Sequence, residues 1–153
     1  MRNHKKLLLE QLDRKLKPFK EIEKIKVPEK GWINNIRNSL NMTLEQLGHK
    51  LNITRQGMKK IEERESSGVI TIKILREVGK ELDMKFVYGF VPNYTSVEEM
   101  VDSKARQLAK KIVLRTNQNM KLENQGNRDE QIIKAIEELS SEIKREMRRS
   151  LWD

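Results

Sequence analysis

Thr54, Arg55, Gln56, Lys59 and Lys60 place a hydroxyl, an amide and three cations within seven consecutive residues. A guanidinium grips the O6/N7 edge of guanine through two parallel hydrogen bonds, and a glutamine amide pairs with adenine in the same way. Arg55 and Gln56 are therefore the candidate base readers. Lys59 and Lys60 reach a base edge or a phosphate and complete the reading set. Such chemistry needs a rod that fits the major groove with long polar side chains at its N-terminal end, which is the task of the second helix of a helix-turn-helix. Candidate backbone contacts are Thr43 and Thr54, at helix starts whose free N–H groups suit an anion, together with Arg37, Asn38, Lys50 and Arg64. The plain alternative is the wet face of a small bundle; the concentration of these residues on one helix past a tight turn favours the groove. Gly57, costly in a helix interior by roughly 1 kcal/mol against Ala, is read as permitting close approach to the preceding helix or to DNA.

The elements that must carry these residues follow from apolar spacing. Trp32, Ile33, Ile36 and Leu40 form one helical stripe. Thr43-Leu-Glu-Gln46 is a capping box that opens a helix with Leu44, Leu47 and Leu51 inward. Thr54 caps a third helix, buried through Met58 and Ile61, and Thr71 opens a fourth with Ile74, Leu75, Val78 and Leu82. The second and third are joined by a turn of about four residues, which predicts a compact helical domain over residues 31–84. Before it, residues 1–30 read as an amphipathic helix (Leu8, Leu9, Leu12, Leu16 and Phe19) and a charged linker.

Lys85 to Pro92 is the one segment rich in β-branched and aromatic residues, and reads as a short strand through Phe86, Val87, Tyr88, Phe90 and Val91. A lone strand needs a partner for its backbone, and no second strand is visible. Either a second copy supplies it across a two-fold axis, making residues 85–92 a dimerisation strand, or the segment is an extended tail packed on the domain. Residues 93–153 form a C-terminal helical region. One stripe follows a capping box at Ser96-Val-Glu-Glu99, a polar stretch spans Thr116 to Gly126, and a second stripe begins at Asn127 and runs through Ile132, Ile136, Leu139, Ile143, Met147 and Leu151. The fold class expected is mainly all-α.

Composition narrows the function. The chain has 153 residues, no Cys and two histidines, His4 and His49, far apart. That excludes disulfides, thiolate metal sites and a cysteine nucleophile, and leaves no cluster from which a metal site, cofactor site or catalytic centre is assembled. No catalytic residue and no metal ligand is assigned. No apolar run approaches a membrane span and no signal-type block opens the chain, so a cytoplasmic binding protein is expected. The net charge of +9 favours a polyanion. It is diffuse, however: residues 1–30 alone hold ten Lys/Arg against five acids. An RNA-binding adaptor is the least supported reading, because seven aromatics, three in the strand segment, make no stacking platform.

Met42-Thr-Leu-Glu-Gln-Leu-Gly48, Leu51-Asn-Ile-Thr-Arg-Gln56 and Ile61-Glu62 resemble the XRE, or lambda-repressor/Cro-like, helix-turn-helix family. The sequence departs from that family's pattern at Leu44, where members commonly carry a phosphate-contacting glutamine, and at Gly48 and Asn52. Three further blocks, Pro28-Glu-Lys-Gly-Trp-Ile33, Gly68-Val-Ile-Thr-Ile-Lys73 and Leu82 through Pro92, resemble mobile mystery protein A. That family comprises XRE-type proteins encoded on mobile elements beside mobile mystery protein B, a Fic-domain protein. The resemblance implies a dimeric, antitoxin-like repressor that binds its own near-palindromic operator in double-stranded DNA, with a Fic-domain protein as a possible partner. The rival it leaves open is an interaction module that neutralises a Fic-type toxin through its C-terminal helices, with DNA binding secondary. The Asn119-Met-Lys-Leu-Glu-Asn124 window has Asn where the inhibitory helix of Fic antitoxins carries Ser or Thr, and no role is assigned to it.

Overall fold

The computed structural model describes residues 2–118 and 128–153. They form α1 (Arg2–Leu16), α2 (Phe19–Ile22), α3 (Trp32–Ser39), α4 (Leu44–Lys50), α5 (Arg55–Ser67), α6 (Ile72–Glu81), α7 (Val97–Gln118), α8 (Arg128–Glu146) and a closing 3-10 turn (Arg149–Trp152). The chain is mainly helical, and among the described residues no strand forms. Residues 85–92 instead run without secondary structure and, among the described residues, without a partner strand. No helix of the described residues is long and apolar enough to cross a membrane.

Two compact units result, Glu21–Gly89 on the one hand and the chain up to Lys20 together with Phe90–Asp153 on the other. The N-terminal helix is thus part of the C-terminal unit rather than a separate flank. In the middle unit, Ile33, Leu47, Met58, Val78 and Leu82 are buried together and ringed by Ile36, Leu44, Leu51, Ile53, Ile61, Ile74 and Leu75. This is the core that the apolar spacing anticipates, with two exceptions. Trp32 and Leu40, at the ends of the α3 stripe, remain 38% and 54% exposed: Trp32 is the first residue of α3, and Leu40 is its C-cap, past the last helical residue.

Helix starts in this unit are set by local chemistry. The Thr43 hydroxyl accepts the Gln46 N–H at 3.1 Å while the Gln46 carbonyl oxygen accepts the Thr43 N–H at 2.9 Å, a closed capping box. Thr54 caps α5 through the Gly57 N–H, and Thr71 caps α6 through the Ile74 N–H. Gly68, in the left-handed region at φ 82°, ends α5.

The other unit is built on α7 and α8, whose stripes bury against each other through Val101, Ala105, Ala109 and Ile143, with Leu9 of α1 and Leu151 added. Helix α1 is docked by charge as well. The Asp13 carboxylate accepts the first free N–H groups of α7, from Val97 at 2.6 Å and Glu98 at 3.2 Å. Only half of the capping box expected there forms: the Ser96 hydroxyl accepts the Glu99 N–H, but the Glu99 carboxylate takes the Thr95 hydroxyl and N–H instead. Those two bonds hold the Glu99 carboxyl below the ordinary carboxylate range. Helix α7 continues through Thr116 to Gln118, the Thr116 hydroxyl donating to the Ile112 carbonyl, so the polar stretch expected from Thr116 begins as helix. The rest of that stretch, the Asn119–Asn124 window and the expected helix start at Asn127 lie outside the described residues.

Lys144 joins α8 to α7, its ammonium 2.6 Å from Asp102 and 3.3 Å from Glu98. Partial burial works against its charge, but the hydrogen bonds to Asp102 and Glu98 outweigh that and hold its pKa above the ordinary 10.5. A cation with a raised folded pKa contributes stability that is complete below its unfolded pKa and lost as pH rises through the folded one. The stability gap between the wild type and Lys144→Gln, measured by urea unfolding, is expected to be constant from pH 7 to 9 and to close above about pH 10.5. A gap that widens with alkali would contradict this.

Candidate nucleic-acid interface

Helix α5 follows α4 after residues 51–54, and this corner is made by two small-scale constraints. Asn52 sits in the left-handed region at φ 56°, which Asn tolerates better than most residues. Gly48 lies under the corner: a Cβ added there would meet the Ile53 carbonyl oxygen at 3.0 Å and that of Thr54 at 3.2 Å. The Ile53 N–H in turn donates to the Gly48 carbonyl at 2.9 Å. The close approach expected of Gly57 therefore belongs to Gly48. At Gly57 a Cβ would find the Thr54 hydroxyl oxygen at 3.4 Å and the Ile53 side chain at 3.5 Å, at or near ordinary contact.

The back of α5 is fixed by two carboxylates one turn apart. Glu62, only 6% exposed, accepts from the Arg37 Nε at 2.9 Å, the Arg37 Nη2 at 3.0 Å and the Asn34 amide at 2.8 Å. The remaining reach of Arg37 goes to the Met42 carbonyl at 2.9 Å and, more loosely, to Asn38. Glu65 accepts the N–H groups of Trp32 and Ile33 at 2.9 and 2.8 Å, and so caps α3 where the N-cap residue, Gly31, has no side chain to do it. Gly31 is at φ 90°, and a Cβ there would lie 2.7 Å from the Glu65 carboxylate.

This geometry corrects the assignment of Arg37 as a phosphate contact. Its guanidinium is buried and its donors are taken by Glu62, Met42 and Asn38, so it is a structural ion pair linking α3 to α5. The other candidate residues are all at the surface: Arg55, Gln56, Lys59 and Lys60 on α5, Arg64 further along it, Lys50 at the end of α4, Asn38 on α3, and the caps Thr43 and Thr54. At 3.6 residues per turn, Arg55, Gln56, Lys59 and Lys60 fall within an arc of about 140°, opposite the buried side defined by Met58 and Ile61.

Glu63 is exposed within the same arc and was not among the sequence candidates. A carboxylate there repels phosphate and accepts from the cytosine amino group. The positioning pair Glu62 and Glu65 was missed as well. Their partners lie some 25 to 33 residues earlier, and no local pattern announces them.

Known protein families, curated proteins and solved structures offer no match to this chain. The geometry stands by itself.

Two stability measurements test the internal account. Arg37→Ala leaves the Glu62 charge buried without its partner and is expected to cost about 3–5 kcal/mol. A variant as stable as the wild type would return Arg37 to the surface. In thermal unfolding, Gly57→Ala is expected to stabilise by roughly 1 kcal/mol through helix propensity. Gly48→Ala is expected to destabilise by about 1–3 kcal/mol, because backbone oxygens must shift to admit its methyl group.

Proposed function

We propose that this chain is a sequence-specific DNA-binding repressor of the XRE type, reading the major groove with α5. The observation that carries the reading is the division of α5 into two sides. Its back is held by Glu62 and Glu65 against α3, while Arg55, Gln56, Lys59 and Lys60 stand free on one exposed arc at its N-terminal end. A rod locked at the back with guanine- and adenine-reading groups at the front is what groove docking requires. Lys50, Arg64, Asn38 and the starts of α4 and α5 supply the backbone contacts, with Arg37 removed from that set. A dimer would place two such helices about one helical turn apart on a near-palindromic site. The sequence resemblance adds autoregulation of a mobile-element operon and an antitoxin-like role beside a Fic-domain partner.

The rival, neutralisation of a toxin through the C-terminal helices, loses its main support. Most of the α7 and α8 stripes that would serve as the docking face pack against each other, and among the described residues of these helices Ile112, Leu114 and Ile133 stay exposed.

Gel shifts on operator and random DNA test the proposal, the operator taken from the DNA upstream of the reading frame or by selection from a random pool. Arg55→Ala is expected to lose about 1–3 kcal/mol of discrimination at one position of each half-site. Lys50→Ala is expected to weaken all sequences alike and to reduce the slope of log affinity against log salt by about 1. Equal losses on both DNAs for both variants would overturn the assignment of base readers.

A further inference from the structure

Between Met84, whose N–H donates to the Gly79 carbonyl at 2.7 Å, and Thr95, whose N–H donates to Glu99, the backbone makes no hydrogen bond to any described residue. At the start of this free stretch Met84 is 47% exposed, and within it Val87, Tyr88 and Phe90 are 62%, 55% and 77% exposed, a run of apolar side chains beside an open backbone edge. Such an edge is a template for pairing with another strand. The segment is two-sided. In extended chain Met84, Phe86, Tyr88 and Phe90 share one side and Lys85, Val87 and Gly89 the other. The Phe86 and Tyr88 rings stack with centroids 6.1 Å apart, and Tyr88 lies beneath the Arg76 guanidinium at 5.9 Å. One side is thus apolar and aromatic, the other mixed, with Lys85, Val87 and Gly89 all exposed.

We propose that two copies of this chain pair through residues 84–90 as an antiparallel ribbon whose two-fold axis passes through Val87. A second copy is the occupant because the segment is complementary to itself in that register. Met84 stands opposite Phe90, Phe86 opposite Tyr88 and Val87 opposite its own counterpart, while Lys85 faces Gly89, which leaves room for the lysine stem. Every exposed apolar residue of the stretch acquires an apolar neighbour. The adjacent registers fail. Centring on Tyr88 puts Met84 against Pro92, which has no N–H for the ladder. Centring on Phe86 brings Phe90 against Leu82, buried at the end of α6. The ribbon supplies the interface for the two-copy reading above and rests on that reading for its biological purpose. Its chemistry is tested without DNA.

The chain contains no cysteine, so single cysteines report register cleanly. The wild type is expected to run at twice the chain mass in light scattering at tens of micromolar. Under mild oxidation Val87→Cys is expected to form a disulfide-linked dimer, since opposed residues of an antiparallel pair lie within disulfide reach. Lys85→Cys and Gly89→Cys are each expected to stay unlinked alone and to cross-link when mixed. Val87→Asp, which sets two carboxylates face to face, is expected to halve the mass while keeping the helical circular dichroism signal. A monomeric wild type would overturn the proposal, as would cross-linking of Tyr88→Cys or Lys85→Cys alone in preference to Val87→Cys. Loss of operator binding in a protein that still cross-links at position 87 would count against the DNA reading and leave the ribbon intact.

Discussion

The buried pair of Arg37 and Glu62 is the constraint on which the middle unit turns. Removing two charges from water is expensive, and the expense is recovered only when geometry is good and every remaining donor and acceptor is occupied. Here the carboxylate receives three hydrogen bonds, and the guanidinium extends its reach to the Met42 carbonyl, just ahead of the Thr43 cap of α4. Among the described residues no buried side-chain nitrogen or oxygen is left without a partner. One interaction therefore ties α3, the entry to α4 and the back of α5. A hydrophobic replacement could match its stability, but it would not prescribe direction. The fork of the guanidinium fixes how α5 is rotated about its own axis, and hence which residues are left facing outward.

Legibility in the sequence followed the range of the interaction. Threonine caps at 43, 54 and 71 were readable because cap and capped N–H are three residues apart and the chemistry is local. The α5 face was readable because helical periodicity alone separates Met58 and Ile61 from Arg55, Gln56, Lys59 and Lys60. Arg37 was misread for the complementary reason. An arginine in a basic neighbourhood looks like a phosphate contact until its acidic partner, 25 residues on, is seen beneath it. The same holds for Glu65, which lends a cap to α3 across 32 residues or more, and for Asp13, which does so for α7 across 84. Periodicity also overstated the reach of short helices, as the exposed Trp32 and Leu40 show.

The two units differ in how they use charge. In the middle unit two acids of α5, Glu62 and Glu65, are turned inward onto Arg37 and the α3 start, while Glu63 stays exposed among the α5 cations. In the other unit charged pairs stitch the helices to each other at the surface, with Lys144 on Asp102 and Glu98 and Arg106 on Glu137. Exposed pairs of this kind contribute little each and weaken with salt. The excess of cations in the whole chain consequently says less about partners than the placing of Arg55, Gln56, Lys59 and Lys60 on the face of α5 opposite its inward acids.

The docking of α1 by Asp13 also orders the birth of the protein. The middle unit is encoded as an uninterrupted stretch and has all its core residues once Leu82 has emerged. The other unit is split, and Leu9 and Asp13 of α1 belong with residues that are made only after the middle unit, as far along as Leu151. During translation Leu9 and Asp13 wait without their partners while the entire middle unit is made and folds. Closing that long loop is slow compared with forming the local helices. Until α7 and α8 have been made, Leu9 therefore lacks its cover and Asp13 its N–H donors, whereas Leu7, Leu8 and Leu12 stay exposed even in the folded unit.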